Sequence, residues 1–363
     1  MEALTIGGAM IDTIAIIESD RIERMSMLNA DTSFLLLEEG RKTEALEVST
    51  HCGGGGVNAA VAMSRLGVAV AALIKIGRDE RAEMILARLL KEGISSRWVI
   101  RDGTAPTGAS VLVSSHDRDA ALFTFRGANT LLAPDDLRDQ AFAVDLVYVS
   151  NLSNKSADCY PTIIDKAKSN GALVAVNPGV RQLSARGGAF LDNLPKVDIL
   201  AINRSEADVL VSTLVARFGE GGPTLALEPG EHPPALLARG LVGGGFEMSL
   251  AAFLVALREL GTKHIVLTDG RAGAFVCADS EILFCPTRDT EVAGTAGAGD
   301  AFASTFATYF ALGRPSQVAL KAATINAASV VTHVDTQTGL LRSGMLEAQL
   351  AGCSTTPLRR WML

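Results

Sequence analysis

The chain has 363 residues, 48% of them hydrophobic, and a formal net charge of −7. This length and composition suit one large domain with a substantial core, and the acidic balance disfavours a nucleic-acid partner. No run of about 18 uncharged apolar residues exists, so no membrane span is expected. In chain order, residues 13–50 and 107–126 read as antiparallel hairpins. The first combines 32–37, a Glu-Glu-Gly turn region and 45–49. The second pairs 109–113 with 121–125 around the turn Ser115-His116-Asp117-Arg118-Asp119. Between them, Gly53-Gly54-Gly55-Gly56 leads into a helical pattern that Gly67 ends. Apolar runs at 144–149, 172–177, 197–203 and 264–268 alternate with helical segments. That is the pattern of βαβ units on a parallel sheet covered on both faces, an α/β fold. Residues 219–247 form a Gly/Pro-rich insertion.

Ligands of such sheets bind beyond the carboxyl ends of the strands, and Asn177, Asn203 and Thr268 fall at those ends. The densest signal is Gly294-Thr295-Ala296-Gly297-Ala298-Gly299-Asp300-Ala301-Phe302 before an apolar helix. Small residues let backbone amides close around an anion, and a helix N-terminus adds its dipole. Asp300 is then placed to take a proton from an attacking hydroxyl; a carboxylate in a first helical turn also stabilises the helix without any catalytic role. In the upstream glycine run the backbone can approach a ligand closely. Asn58 there can offer a donor and an acceptor to a polyol, or cap the helix. The glycines are contiguous and far from the start, which does not fit a dinucleotide-binding fingerprint. Asn203 and Glu206 have capping-box spacing.

Five segments in order resemble the ribokinase-like (PfkB) family of carbohydrate and nucleoside kinases: Gly7–Asp12, Gly53–Asn58, Asn203–Glu206, Thr268–Gly273 and Gly297–Asp300. The resemblance implies a mostly parallel sheet between helices, formed by 1–12, 51–106 and 127–363, with a small β lid from 13–50 and 107–126. It implies an ATP- and Mg²⁺-dependent kinase acting on a sugar or sugar derivative. Asp300 would be the base, with the Gly297, Ala298 and Gly299 amides as anion hole. Asp12, at the end of the first strand, would bind substrate with Gly53, Gly54, Asn58 and Asn151. Asn203, Glu206, Thr268, Gly270, Gly273 and Asn326 would serve the nucleotide, Glu206 holding Mg²⁺ through water. A homodimer through the lid is also implied. Where the family carries Asp-Thr-Thr before the anion hole, this chain has Gly294-Thr295-Ala296, which leaves a monovalent-cation site in doubt. Gly55 replaces a lysine common in ribose kinases. Alternatives are a nucleoside kinase and a sugar-binding regulatory protein without turnover. Arg126 is placed either to meet an acidic or phosphorylated sugar or to sit solvated at a hairpin end. Five scattered cysteines without a Cys-x-x-Cys pair and no basic N-terminal stretch fit a reduced, cytoplasmic setting, and the five histidines lack metal spacing.

Overall fold

The computed structural model describes residues 1–18, 23–26, 33–36, 40, 42–115, 120–225, 230–352 and 358–363. Among them the large sheet has nine strands, in the order Arg359–Met362, Glu281–Pro286, Gly273–Ala278, His264–Thr268, Ile199–Asn203, Leu173–Val176, Leu146–Val149, Glu2–Ile6 and Ala69–Leu73. The last six are mutually parallel and the first three join antiparallel at one edge. All four strands expected from apolar runs are present in the parallel part.

Successive side chains of a strand point to opposite faces. Val147 and Val149 therefore enter one core, with helices Tyr160–Ser169, Arg204–Phe218 and Leu250–Glu259. Leu146 and Tyr148 enter the other, with Gly55–Arg65, Ala298–Ala311 and Ser316–Val330. Burial on both faces is why these strands read as continuous apolar runs rather than as alternation.

A separate small sheet has the order Ala120–Phe125, Gly108–Ser115, Met10–Ile17, Glu47–Gly53. Two expectations change here. The first strand of the chain ends at Ile6, and Asp12 lies inside the next strand, in the small sheet. The segment around 33–36 does not pair with 45–49. Ser33–Leu36 pairs with Glu23–Ser26, and Glu47–Gly53 pairs with Met10–Ile17. Alternation alone fixes neither partner nor register. The second hairpin, Gly108–Ser115 with Ala120–Phe125, is antiparallel as expected, and its turn residues 116–119 lie outside the described residues.

The described part of the Gly/Pro-rich insertion is folded onto the core. A short helix, Ala235–Arg239, precedes a hairpin of Leu241–Gly243 and Phe246–Met248. Both turn residues, Gly244 and Gly245, have positive φ (60° and 84°), as a two-residue hairpin turn requires. Leu236, Leu241 and Met248 are buried. Among the described residues no helix is long and apolar enough to cross a membrane.

Candidate active site

The glycine loop and the strand-end loop at 7–9 pack backbone against backbone. Gly54 is the N-cap of Gly55–Arg65, with φ 92°, and a Cβ there would lie 2.6 Å from the Gly8 carbonyl oxygen. Asn129 clamps the same loop: its Oδ1 accepts from Ala9 N at 2.9 Å and its Nδ2 donates to Ala9 O at 2.8 Å. Beside this junction, Asp12 pairs in register with His51 and Ser110. The Ser110 hydroxyl donates to the Asp12 carboxylate. Burial raises the Asp12 pKa, and the Ser110 bond opposes that rise. A side chain at Gly53 would strike the carboxylate, since a Cβ there would lie 1.9 Å from Asp12 Oδ2.

Asp300 sits in the first turn of Ala298–Ala311, which Gly297 caps in the left-handed conformation at φ 79°. The Ala298 amide donates to Thr295 O at 3.4 Å; helix geometry leaves the amides of Gly299 and Asp300 without intrahelical partners, at the same helix start as the carboxylate. Burial raises the Asp300 pKa, a bond from Asn58 lowers it, and the charge of Asp12 raises it further.

Asn58 is not the helix cap, a role that Gly54 fills. It is buried, its Nδ2 donates to Asp300 Oδ2 at 2.8 Å, and its Oδ1 accepts from Thr336 Oγ1 and Gln337 Nε2, both at 2.9 Å. Two donors on the oxygen fix the amide orientation and aim its N–H at the carboxylate. Arg88 Nε donates to Gln337 Oε1 at 2.8 Å and extends the network to helix Glu80–Lys91. In this structure Asn58 positions Asp300 and lines neither of the two cavities described next.

The first cavity, about 190 Å³, is walled by Gly7, Gly8, Gly54, Gly55, Arg126 and Asn129, with Asn151 at its side. The second, about 210 Å³, contains Asn203, Glu206, Thr268, Gly297, Gly299 and Asp300, again with Asn151. Asn151 thus borders both. Gly55 links the first cavity to Asp300, since a Cβ there would lie 3.2 Å from Asp300 Oδ1. The structure therefore brings together most of the residues singled out from sequence.

Asn203 and Glu206 form the reciprocal cap: Asn203 Oδ1 accepts from Glu206 N at 2.9 Å, and Glu206 Oε2 accepts from Asn203 N at 2.8 Å. Cap and cavity wall are one arrangement here. Burial raises the Glu206 pKa to about 7. A native pKa above the ordinary 4.5 means the folded protein keeps a proton that the unfolded chain has released. Stability from this group is complete below the unfolded value and is lost as pH rises through about 7. Glu206→Gln keeps the cap and removes the titration. Its melting temperature is expected to match wild type in acid and to exceed it above pH 7. Parallel melting curves across the whole pH range would contradict this.

Three residues assigned to the nucleotide lie outside both cavity walls. Asn326 is buried, donating to Thr305 Oγ1 at 2.8 Å and accepting from Leu341 N at 2.9 Å, so it ties two helices and a loop and lines neither cavity. Gly273 packs against strand Glu281–Pro286, where a Cβ would lie 2.3 Å from Cys285 O. Gly270 has no close neighbour and stands outside both cavity walls. Sequence reading missed Asn129, Thr336 and Gln337. Only Asn129 had a local signal, its place just after the second hairpin.

A parallel sheet with glycine loops at its carboxyl edge, a helix-start carboxylate and a small antiparallel sheet defines a ribokinase-type α/β fold. The chain belongs to the pfkB family of carbohydrate kinases, whose model matches residues 23–228 and 238–342. Members are phosphotransferases with hydroxyl acceptors. A deoxyribokinase from Salmonella typhi is 27% identical over 330 residues, covering 89% of this chain and 94% of the relative. The fold is shared with a putative ribokinase II from E. coli solved with ATP and Mg²⁺ (TM-score 0.72, 17% identity, 97% of this chain and 99% of that one). It is also shared with an adenosine kinase from Sinorhizobium meliloti (TM-score 0.72, 20% identity, 96% and 98%).

Proposed function

We propose that the protein transfers the γ-phosphoryl group of ATP to a hydroxyl of a sugar or sugar derivative, the acceptor lying in the first cavity and the nucleotide in the second. The observation that carries this is the placement of Asp300. Its carboxylate stands at a helix start, in the first turn after Gly297, where the two cavities approach each other. The acceptor oxygen attacks the γ-phosphorus, its proton passes to Asp300, the bond from phosphorus to the β–γ bridging oxygen breaks, and ADP leaves. The amides at 297–299 stabilise charge on the transferring group. Elevation of the Asp300 pKa makes it a stronger base than an ordinary surface carboxylate.

Among the described residues no cluster of three or more His, Cys, Asp or Glu could cage a metal. Mg²⁺ entering with the nucleotide would supply charge neutralisation on the phosphate oxygens. Glu206 suits it: Oε2 is committed to the Asn203 amide, which leaves Oε1 for a coordinated water. A nucleoside acceptor is the second reading, favoured by the adenosine kinase that shares the fold. Against it, the described wall of the first cavity has no aromatic side chain to stack on a base. ADP release from Mg-ATP against sugars, sugar acids and nucleosides tests both. Turnover confined to nucleosides would reverse the preference.

The small sheet also exposes Val48, Val111, Leu122, Phe123 and Phe125, with Phe123 61% exposed. Strand alternation puts Val48, Val111, Phe123 and Phe125 on one face and Leu122 on the other, and the four-residue apolar face supports a homodimer through this sheet. Sedimentation is expected to give a dimer that Phe123→Glu shifts toward monomer; a monomeric wild type would reject it.

A further inference from the structure

Building on that kinase reading, we infer that the acceptor is acidic: a sugar derivative whose carboxylate or phosphate docks on Arg126 while its accepting hydroxyl faces Asp300. Two cationic side chains, Lys75 and Arg126, and no carboxylate stand in the described wall of the first cavity. Lys75 is already neutralised, its Nζ lying 2.8 Å from Asp136 and 3.8 Å from Asp102. Arg126 is not. It is half-buried at the end of strand Ala120–Phe125, and its hydrogen bond goes to a neutral hydroxyl, Ser153 Oγ, at 3.0 Å. No carboxylate among the described residues pairs with it.

Its surroundings work against the charge, because burial and the nearby positive charge of Arg181 both lower its pKa. A guanidinium does not escape by losing its proton, so an uncompensated one in a partly dry cavity is costly until an anion arrives. Its planar fork matches the two oxygens of a carboxylate or phosphate, which a solvated lysine would not match as well. The cavity geometry then orients the ligand. Arg126 and Ser153 form part of the wall, and Gly55, adjoining Asp300, forms another part. A small acid held at the arginine has its remaining hydroxyls free to reach the base.

Matched pairs test this, each a neutral sugar with its acidic counterpart: ribose and ribonate, glucose and gluconate, fructose and fructose 6-phosphate. ADP release at fixed Mg-ATP is measured for wild type, Arg126→Gln and Arg126→Lys, with thermal shift as the binding readout. One acidic member is expected to exceed its neutral parent in kcat/KM. Arg126→Gln is expected to raise KM for that acid by about 10- to 100-fold, the range for a charged hydrogen-bonded pair, with a smaller change in kcat. Arg126→Lys should restore part of the loss, and either change should raise KM less for the neutral parent than for its acid. The carboxylate and phosphate pairs distinguish the two anion types. The inference is overturned if the neutral parent matches or beats its acid in every pair, if the acid preference survives Arg126→Gln, or if no acid gives a response in turnover or melting. Retained Mg-ATP binding in those cases leaves the kinase reading standing; only loss of nucleotide binding would remove both.

Discussion

Asp300→Asn is expected to lower kcat/KM by about 10²- to 10⁴-fold, the usual contribution of a positioned general base. The substitution is nearly isosteric. An asparagine oxygen at this position can still accept from Asn58 Nδ2, so the network through Thr336 and Gln337 survives. Folding should not suffer either. The native pKa of Asp300 is raised, so its contribution to stability is present in acid and lost as pH rises through that elevated value. A neutral amide removes this cost, and the variant should melt no lower than wild type at pH 8. Mg-ATP binding should persist, because the amides of Ala298 and Gly299 are untouched. In wild type, kcat/KM should fall as pH drops through a pKa above the ordinary carboxylate range. Turnover within a few-fold of wild type in the asparagine variant would remove Asp300 from the mechanism.

Local physics made this residue legible before any coordinates. A small-residue run, a helix start and a carboxylate lie within nine consecutive positions, and helix geometry converts that adjacency into a shared site. Asn203 and Glu206 are legible for the same reason, since a reciprocal cap needs only three-residue spacing. The parallel strands were legible because burial on both faces leaves unbroken apolar runs. What positions Asp300 was not. Asn58 meets Thr336 and Gln337 across 278 and 279 residues of sequence, and nothing local to either segment announces the encounter. The small sheet shows a related limit. Strands near 33–36 and 45–49 were recognisable, but alternation does not encode that Ser33–Leu36 pairs with Glu23–Ser26 outside this sheet and that Glu47–Gly53 pairs with Met10–Ile17 inside it. Asn326, assigned to the nucleotide by resemblance, has both its side-chain partners inside the fold, which its local sequence does not announce.

Gly297→Val is expected to damage stability and catalysis together, because one backbone position carries both. Its φ of 79° is left-handed, where a β-branched residue is strained. Space is also lacking: a Cβ would lie 2.6 Å from Thr336 Cβ and 2.8 Å from Thr336 Cα, too close for relief by side-chain rotation. Strain and overpacking together should cost about 2–4 kcal/mol. Displacing Thr336 would also disturb its bond to Asn58, and hence the orientation of Asp300. Misdirected amides and base should lower kcat by at least about 10²-fold, the scale of losing one anion-hole donor. Gly299→Ala is the control that separates the two effects. Its Cβ would meet nothing within 4 Å, and its place in the first helical turn tolerates alanine. That variant should melt like wild type, so any activity it loses reports the close approach of phosphate alone. A Gly297→Val protein with wild-type melting and turnover would show that the left-handed turn is dispensable, and with it the argument that this glycine shapes the anion site.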